Sequence, residues 1–335
     1  MKKITALVLA ALMLFALAAC GNSSTPAGSA DAVDAVTPAE GEVFTVGVCQ
    51  LVQHPALDAA TQGFVDVLEE TFGEGNVVVD VQNASGDSAN CATICSGFVS
   101  EGVDLILANA TPALQAAAAA TNTIPVLGTS ITEYGVALEI ADFDGTVGTN
   151  VSGTSDLAPL DQQAAMVTEL FPDAENVGIL YCSGEPNSVY QADVVKAELE
   201  KAGVTVTDYT FSDSNDVAAV TGTACDECDA LYIPTDNTAA SCTEAINNVA
   251  QPAGVPIIAG EEGLCKGCGI ATLSISYYEL GRATGEQAVQ ILNGETDVSE
   301  MEIGYDEHPV KKYNATLCAA LGIEIPEEGY DPIAD

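Results

Sequence analysis

The chain has 335 residues, enough for two domains of ordinary size, and 48% of it is apolar, so a sizeable core can be buried. Its formal net charge is -41, from 49 Asp plus Glu against 8 Lys plus Arg. Such a surface repels phosphate, which excludes nucleic acid and anionic lipid headgroups as partners of the folded body.

The first element reads as a leader. Lys2 and Lys3 form a positive start, and residues 4–16 are an apolar run too short to span a bilayer comfortably. Residues 17–20, "LAAC", place small side chains before Cys20 and look like a bacterial lipobox. That implies cleavage before Cys20 and lipidation there; ordinary secretion with a chance cysteine is the other reading. Residues 1–19 are thus expected to be a lipoprotein signal peptide. Residues 20–42, small and acidic with proline and no periodicity, are expected to be a flexible tether. The protein should then hang from a membrane, lipid-anchored on the extracytoplasmic face.

From Val43 onward, β-rich apolar runs alternate with helical patterns. The expected strands are residues 43–49, 77–82, 104–110 and 124–130, then 177–183, 204–210, 229–235, 255–261 and 269–275. Most are continuous apolar runs, as in parallel strands covered on both faces. Leu57, Phe64, Leu68 and Phe72 recur at helical spacing, as do Leu280, Thr284, Ala288 and Ile291. Alternating strand and helix predicts an α/β fold of doubly wound sheets. The stretch from Asp104 and the stretch from Asp229 share one plan: an acid, an apolar strand, a polar turn with Thr, an Ala-rich helix, then Pro and a strand. Two similar lobes follow, with the break near residues 148–156.

Open α/β sheets bind ligands beyond the carboxyl ends of their strands. Those ends fall at residues 50–54, 109–111 and 129–132 in the first lobe, and at 183–188, 235–237 and 260–262 in the second. The first set offers hydroxyls, amides and helix N-termini, which suit a carboxylate. The second offers Glu185, Asp236, Glu261 and Glu262, which suit an ammonium group. A zwitterion such as an α-amino acid fits between them. Capping of the following helices is the alternative use for the same residue types; Ser188 and Gln191 have capping-box spacing. No Lys or Arg falls in these turns, which argues against a polyphosphate or dicarboxylate ligand. His54 and His308 are the only histidines, so no metal and no cofactor is expected.

The turns also resemble a known family. "CQLVQHPALDAATQGF", "NASGDSAN", "DLILANATPALQAA", "GTNVSGTSDLAP", "LYCSGEPNSVYQ", "YIPTDNTAAS", "AGEEG" and "SISYYELGRATGEQA" occur in this order across residues 43–325. Together they are similar to the ABC-transporter substrate-binding lipoproteins that include the tryptophan and tyrosine uptake receptors. The resemblance implies a type I periplasmic-binding-protein fold, two Rossmann-like lobes joined by three crossovers and closing like a hinge. It implies an aromatic amino acid (Trp, Tyr or Phe) as ligand and an ABC permease as partner, with the chain a monomer. Lobe 1 is expected at 43–152 plus 275–298, and lobe 2 at 153–274 plus 299–330. The expected ligand contacts are Gln50, Asn109, Thr111, Thr129, Ser130, Glu185, Asn187, Ser188, Asp236, Asn237 and Glu261. The first-lobe residues would hold the carboxylate, and Asp236 with Glu185 or Glu261 the ammonium. Tyr134 and Tyr190 are candidates for the aromatic subsite, with packing as the other reading.

Besides Cys20 there are ten cysteines, a departure from that family. "CDEC" and "CKGC" lie 36 residues apart, wider than the roughly 15–20 of a zinc ribbon. Cys265 and Cys268 are the first candidates for a disulfide in an exported protein; cysteine used as a small apolar side chain is the other reading. No G-x-S-x-G or HExxH motif is present, and "SGTSD" (152–156) is poorly placed for a nucleophile elbow, so no enzyme is expected. An extracytoplasmic sensor for a signalling partner, or a receptor for another amino acid or a nucleoside-like solute, remains open beside the transport receptor.

Overall fold

The computed structural model describes residues 43–334 apart from 74, 307 and 327. The expected signal peptide (1–19), tether (20–42) and lipidated Cys20 lie outside the described residues. In chain order the first lobe runs β1 (Phe44–Gln50), α1 (Pro55–Phe72), β2 (Val77–Asn83), α2 (Ser88–Glu101), β3 (Leu105–Asn109), α3 (Thr111–Ala120), β4 (Val126–Ile131), α4 (Tyr134–Ala137) and β5 (Val151–Ser155). The second runs α5 (Leu160–Leu170), β6 (Asn176–Cys182), α6 (Pro186–Lys201), β7 (Thr205–Phe211), α7 (Val217–Glu227), β8 (Ala230–Ile233), α8 (Asn237–Ser241), α9 (Thr243–Ala253), β9 (Ile257–Ala259), α10 (Glu262–Gly267) and β10 (Ala271–Ser274). The chain returns to the first lobe with α11 (Tyr277–Leu292) and β11 (Gly304–Tyr305). It ends in the second with β12 (Val310–Tyr313), α12 (Ala315–Leu321) and β13 (Asp331–Pro332).

The six-stranded sheet of lobe 1 has the order β11-β5-β4-β3-β1-β2, and the seven-stranded sheet of lobe 2 the order β13-β12-β10-β9-β8-β6-β7. Each lobe therefore repeats one strand order, as the internal echo predicts. All pairings are parallel except β10 with β12. Strands β3, β4 and β8 are buried along their whole length, because helices cover both sheet faces. The edge strands β2 and β7 are half exposed. Phe64 and Leu68 of α1 with Ala288 of α11 fill one face of lobe 1, and Phe98 of α2 with Leu114 of α3 fill the other. Each such buried Leu or Phe contributes roughly 1.5–3 kcal/mol.

Helix α11 belongs to lobe 1 because its backbone meets that of α1 directly. A Cβ at Gly63 would strike the Tyr278 carbonyl, and one at Gly281 the Ala60 carbonyl. The three crossovers thus fall at residues 156–159, 275–276 and 306–309. This corrects both expected boundaries: lobe 1 extends to Ser155 and again to Tyr305, past 152 and 298. The second boundary moves because the two-residue strand β11 joins this sheet, and the first because of β5. Strand β5 reads "VSGTS", which looks like a loop, yet all five residues are buried. Its hydroxyls are satisfied inside the lobe: Ser152 donates to Met301 O at 2.9 Å, Ser155 to Thr132 O at 2.9 Å, and Thr154 pairs with Thr284 at 2.7 Å.

The ten cysteines of the described residues are all unbridged. This corrects the expected Cys265–Cys268 disulfide. Both thiols point into the apolar core of lobe 2, where Cys268 Sγ donates to Leu264 O at 3.4 Å. Burial pushes both thiols up from their ordinary pKa, so they stay protonated and act as small apolar side chains.

Candidate ligand-binding site

The carboxyl ends of both sheets face each other across the crossovers and enclose a cavity of about 10 Å³. That is room for one small group of the size of a water molecule. Lobe 1 lines it with His54, Leu57, Ser130 and Thr132, lobe 2 with Asn187, Thr235, Asp236, Asn237, Ala240 and Glu261. The first crossover contributes Asp156, and the start of α11 contributes Tyr277. No Lys or Arg lines it. A wider recess of about 380 Å³ opens beside it between the lobes, bounded by Leu51, Ser85 and Pro112 on one side and Glu185, Asp213 and Thr238 on the other. A larger recess, about 470 Å³, lies along α11, β11 and β12. It is mostly apolar, its Lys312 is paired with Glu262 at 2.5 Å, and neither of its acids, Glu279 and Asp306, is buried.

Local structure aims these side chains. Strand β4 slips register between Gly128 and Ile131, and Ser130 there takes a left-handed φ of 57°. The irregularity turns the Ser130 side chain to the cavity. Asp236 is the N-cap of α8: Oδ1 accepts from Ala239 N at 2.7 Å, and Oδ2 from Cys182 N at 2.6 Å. Glu261 caps α10 through the Gly263 and Leu264 amides. Asp156 is held by Tyr277, whose hydroxyl donates to Oδ2 at 2.8 Å.

All three carboxylates are nearly inaccessible. Burial pushes Asp156 above the usual carboxylate range, against the pull of the Tyr277 and Thr132 hydroxyls. Burial, reinforced by the charge of Glu185, pushes Asp236 up to about 8. Burial pushes Glu261 up to about 7, although two amides favour its charged form. The site also collects orphans. His54 Nδ1, Ser130 Oγ, Asp156 Oδ1 and Asn187 Oδ1 are buried with no partner among the described residues. Four unpartnered polar atoms in one cavity mark a place where a ligand supplies the missing bonds.

Of the eleven expected contacts, Ser130, Asn187, Asp236, Asn237 and Glu261 line the cavity. Thr129 sits beside Ser130 with its hydroxyl buried and unpartnered, and the Ser188 hydroxyl supports Asp236. Four are corrected. Gln50 is spent inside lobe 1, donating to Val52 O and Asp58 and accepting from Thr61 at 2.7 Å. Asn109 anchors α1 through Leu57 O and Thr61. Thr111 is buried in the first turn of α3, away from the cavity. Glu185 accepts from Asn237 N and Nδ2 at 3.0 and 2.7 Å, and from Thr238 N and Oγ1 at 2.9 and 2.7 Å. Its carboxylate is filled. The capping-box reading of Ser188 also fails, because Glu185 is the N-cap and Ser188 lies in the first turn. Tyr134 packs in the lobe 1 core with its hydroxyl on Gly128 O and Thr154 O, and Tyr190 packs against the lobe 2 core.

His54, Thr132 and Thr235 lie inside the strand-end windows, with no local pattern that sets them apart. Asp156 and Tyr277 lie outside them, because β5 reads as a loop and Tyr277 opens a helix.

Residues 45–329 match the family of ABC transporter substrate binding proteins. The chain belongs to that family. A "Tyrosine-binding protein" of Clostridioides difficile strain R20291 is 35% identical over 288 residues, 83% of either chain. A solved structure from Streptococcus pneumonia, an ABC domain in complex with L-Trp, is 33% identical; the match covers 87% of this chain and 100% of that one, with a TM-score of 0.83. The ligand-free, open structure of a substrate binding protein with adhesive properties from Clostridium difficile is 37% identical over 87% of this chain and 99% of that one, with a TM-score of 0.66. At similar identity and coverage, the lobes of this substrate-binding protein thus fit the L-Trp complex better than the open form, in keeping with its nearly closed cleft. The fold is the two-lobed solute-binding fold of these relatives. The substrate-binding protein works outside the cytoplasm, where it binds a small molecule for an ABC permease.

Proposed function

We propose that the protein captures an aromatic amino acid as a zwitterion and delivers it to the permease by opening and closing its lobes, without chemical turnover. The cavity carries this reading: three desolvated carboxylates and a set of unpartnered acceptors converge with no cationic side chain lining the cavity. A buried ammonium group answers both deficits, because charge-assisted bonds offset its desolvation. Ser130, with Thr129 behind it, supplies hydroxyls for the carboxylate. A cavity of about 10 Å³ holds an ammonium-sized group but not a whole amino acid, so entry requires the lobes to part at the three crossovers. The relatives with tyrosine and L-Trp in their names support the aromatic class. The lipid anchor at Cys20 and a monomeric state complete the reading.

A thermal-shift screen of the twenty amino acids tests it. Binding to the folded state raises the melting temperature by mass action, so Tyr, Trp or Phe should give the largest shifts. No shift from any of the three sinks the aromatic assignment. Release of a chemically altered ligand after incubation sinks the receptor reading.

A further inference from the structure

His54 stands at the N-cap of α1, yet its side chain makes no bond into that helix. The ring turns across the cleft, where Nε2 lies 3.3 Å from Asn237 Oδ1 of the other lobe. It lines the enclosed cavity, and Nδ1 is buried without a partner.

The chemistry of the neighbours sets the tautomer. Glu185 Oε2 takes both the backbone N and Nδ2 of Asn237. A carboxylate engaged by four donors accepts only, so the Asn237 amide must turn its nitrogen to Glu185 and its oxygen to His54. An amide oxygen also only accepts, so the proton must sit on His54 Nε2. Burial favours the neutral ring, lowering His54 below its ordinary pKa against the pull of Asn237, Glu185 and Asp58. A neutral ring protonated at Nε2 leaves Nδ1 as a bare acceptor. Asn187 is fixed in the same way: its Nδ2 donates to Thr235 O at 3.0 Å, which leaves Oδ1 free. An ammonium group has three N–H donors. Among the unpartnered atoms of the cavity, three can accept from it: Asp156 Oδ1 as the carboxylate, Asn187 Oδ1 and His54 Nδ1.

We propose that His54 is a ligand-binding residue: held in the Nε2–H tautomer by the Glu185–Asn237 pair, it accepts one N–H of the ligand's ammonium group at Nδ1 and ties the two lobes together through Nε2. The proposal rests on the amino-acid reading of the site. It makes the primary ammonium the recognised feature. A ligand without the amine, such as indole-3-propionate, or with a trimethylated nitrogen, leaves the three acceptors unsatisfied and is refused.

Only two histidines occur in the chain, and the other, His308, is exposed, so histidine labelled with ¹⁵N gives two readable rings. In the ligand-free protein His54 should show the neutral Nε2–H tautomer at pH 6. Saturation with L-tyrosine or L-tryptophan should move the His54 Nδ1 resonance toward its hydrogen-bonded position. His54→Gln keeps a donor for Asn237 but loses the acceptor, so affinity should fall by about tenfold or more. His54→Asn keeps an acceptor near the Nδ1 position and should bind better than His54→Gln. An Nδ1–H tautomer, an imidazolium at pH 7, or an unmoved Nδ1 resonance at saturation overturns the proposal while leaving the amino-acid reading intact. Failure of every amino acid to bind overturns that reading and the proposal with it.

Discussion

Two short segments bring a buried acid to the same cleft, the turn at residues 183–188 and the crossover at 156–159. In the turn, Glu185 faces four donors from Asn237 and Thr238, all within 3.0 Å. In the crossover, Asp156 has one strong donor, Tyr277, a weaker pull from the Thr132 hydroxyl, and one oxygen without a hydrogen-bond partner among the described residues. Burial is alike, at 5% and 6% exposure, so burial does not separate the two roles. What separates them is the number of lone pairs left for a ligand. Glu185 has finished its bonding within the fold and serves as a strut. Asp156 is held half-bonded, which costs stability in the empty protein and is offset when an ammonium group arrives.

The largest expected effect falls on the crossover. Asp156→Asn removes the acceptor charge but keeps the shape, and affinity for the amino acid should fall by about 100-fold or more. The melting temperature of the ligand-free protein should hold or rise, because a buried, incompletely paired carboxyl is gone. Isothermal titration with a scan on the same samples reads both. Affinity within a few-fold of wild type would place the ammonium elsewhere and end the contrast with Glu185.

Glu185→Ala should do the reverse. It strands the Asn237 and Thr238 donors at the start of α8, so roughly 2–4 kcal/mol of stability should be lost. Binding should weaken less than in Asp156→Asn, through the loosened Asn237. Denaturant unfolding without ligand is the measure. An unchanged midpoint with abolished binding would restore Glu185 as a direct contact.

These two acids also show how far the sequence carries. The continuous apolar runs of β1, β3 and β8 and the helical spacing in α1 and α11 were legible, because burial on both faces or on one stripe writes itself into local order. So were the strand-end windows that hold Ser130, Asn187, Asp236 and Glu261. Glu185 misled because its donors lie 52 and 53 residues downstream, and no local pattern shows that its lone pairs are taken. Asp156 was hidden behind "VSGTS", a strand whose hydroxyls are bonded to partners up to 149 residues away. The Cys265–Cys268 pair misled for a related reason: spacing allows a bridge, while both thiols are taken into the apolar core of lobe 2, Cys268 Sγ on Leu264 O.

The shared acidity of the cavity predicts a pH effect of intermediate size. Asp236 and Glu261 are pushed up to about 8 and 7 in the folded protein, against roughly 4 when unfolded. Between those values the folded state holds more protons than the unfolded one. Their contribution is therefore full below about pH 4 and lost as pH rises through 7 to 8. Glu261→Gln should flatten that part of the fall in ligand-free melting temperature between pH 5.5 and 8. Affinity for an ammonium ligand should rise over the same window, since binding requires the charged carboxylates. Equal pH slopes in wild type and variant would show that Glu261 is already ionised at pH 5.5.

Tyr277→Phe is the finest probe. Its hydroxyl is the one strong bond that orients Asp156, at 2.8 Å across 121 residues of sequence. Without it the Asp156 carboxyl should be pushed further up, because the hydrogen bond that favours its charged form is gone. The charged acceptor then costs more to form, and affinity should fall by about tenfold at pH 7, less than in Asp156→Asn. The loss should shrink as pH rises, because alkali ionises Asp156 without Tyr277's help. A loss that stays constant with pH would mean that Tyr277 touches the ligand itself and that Asp156 needs no orienting partner.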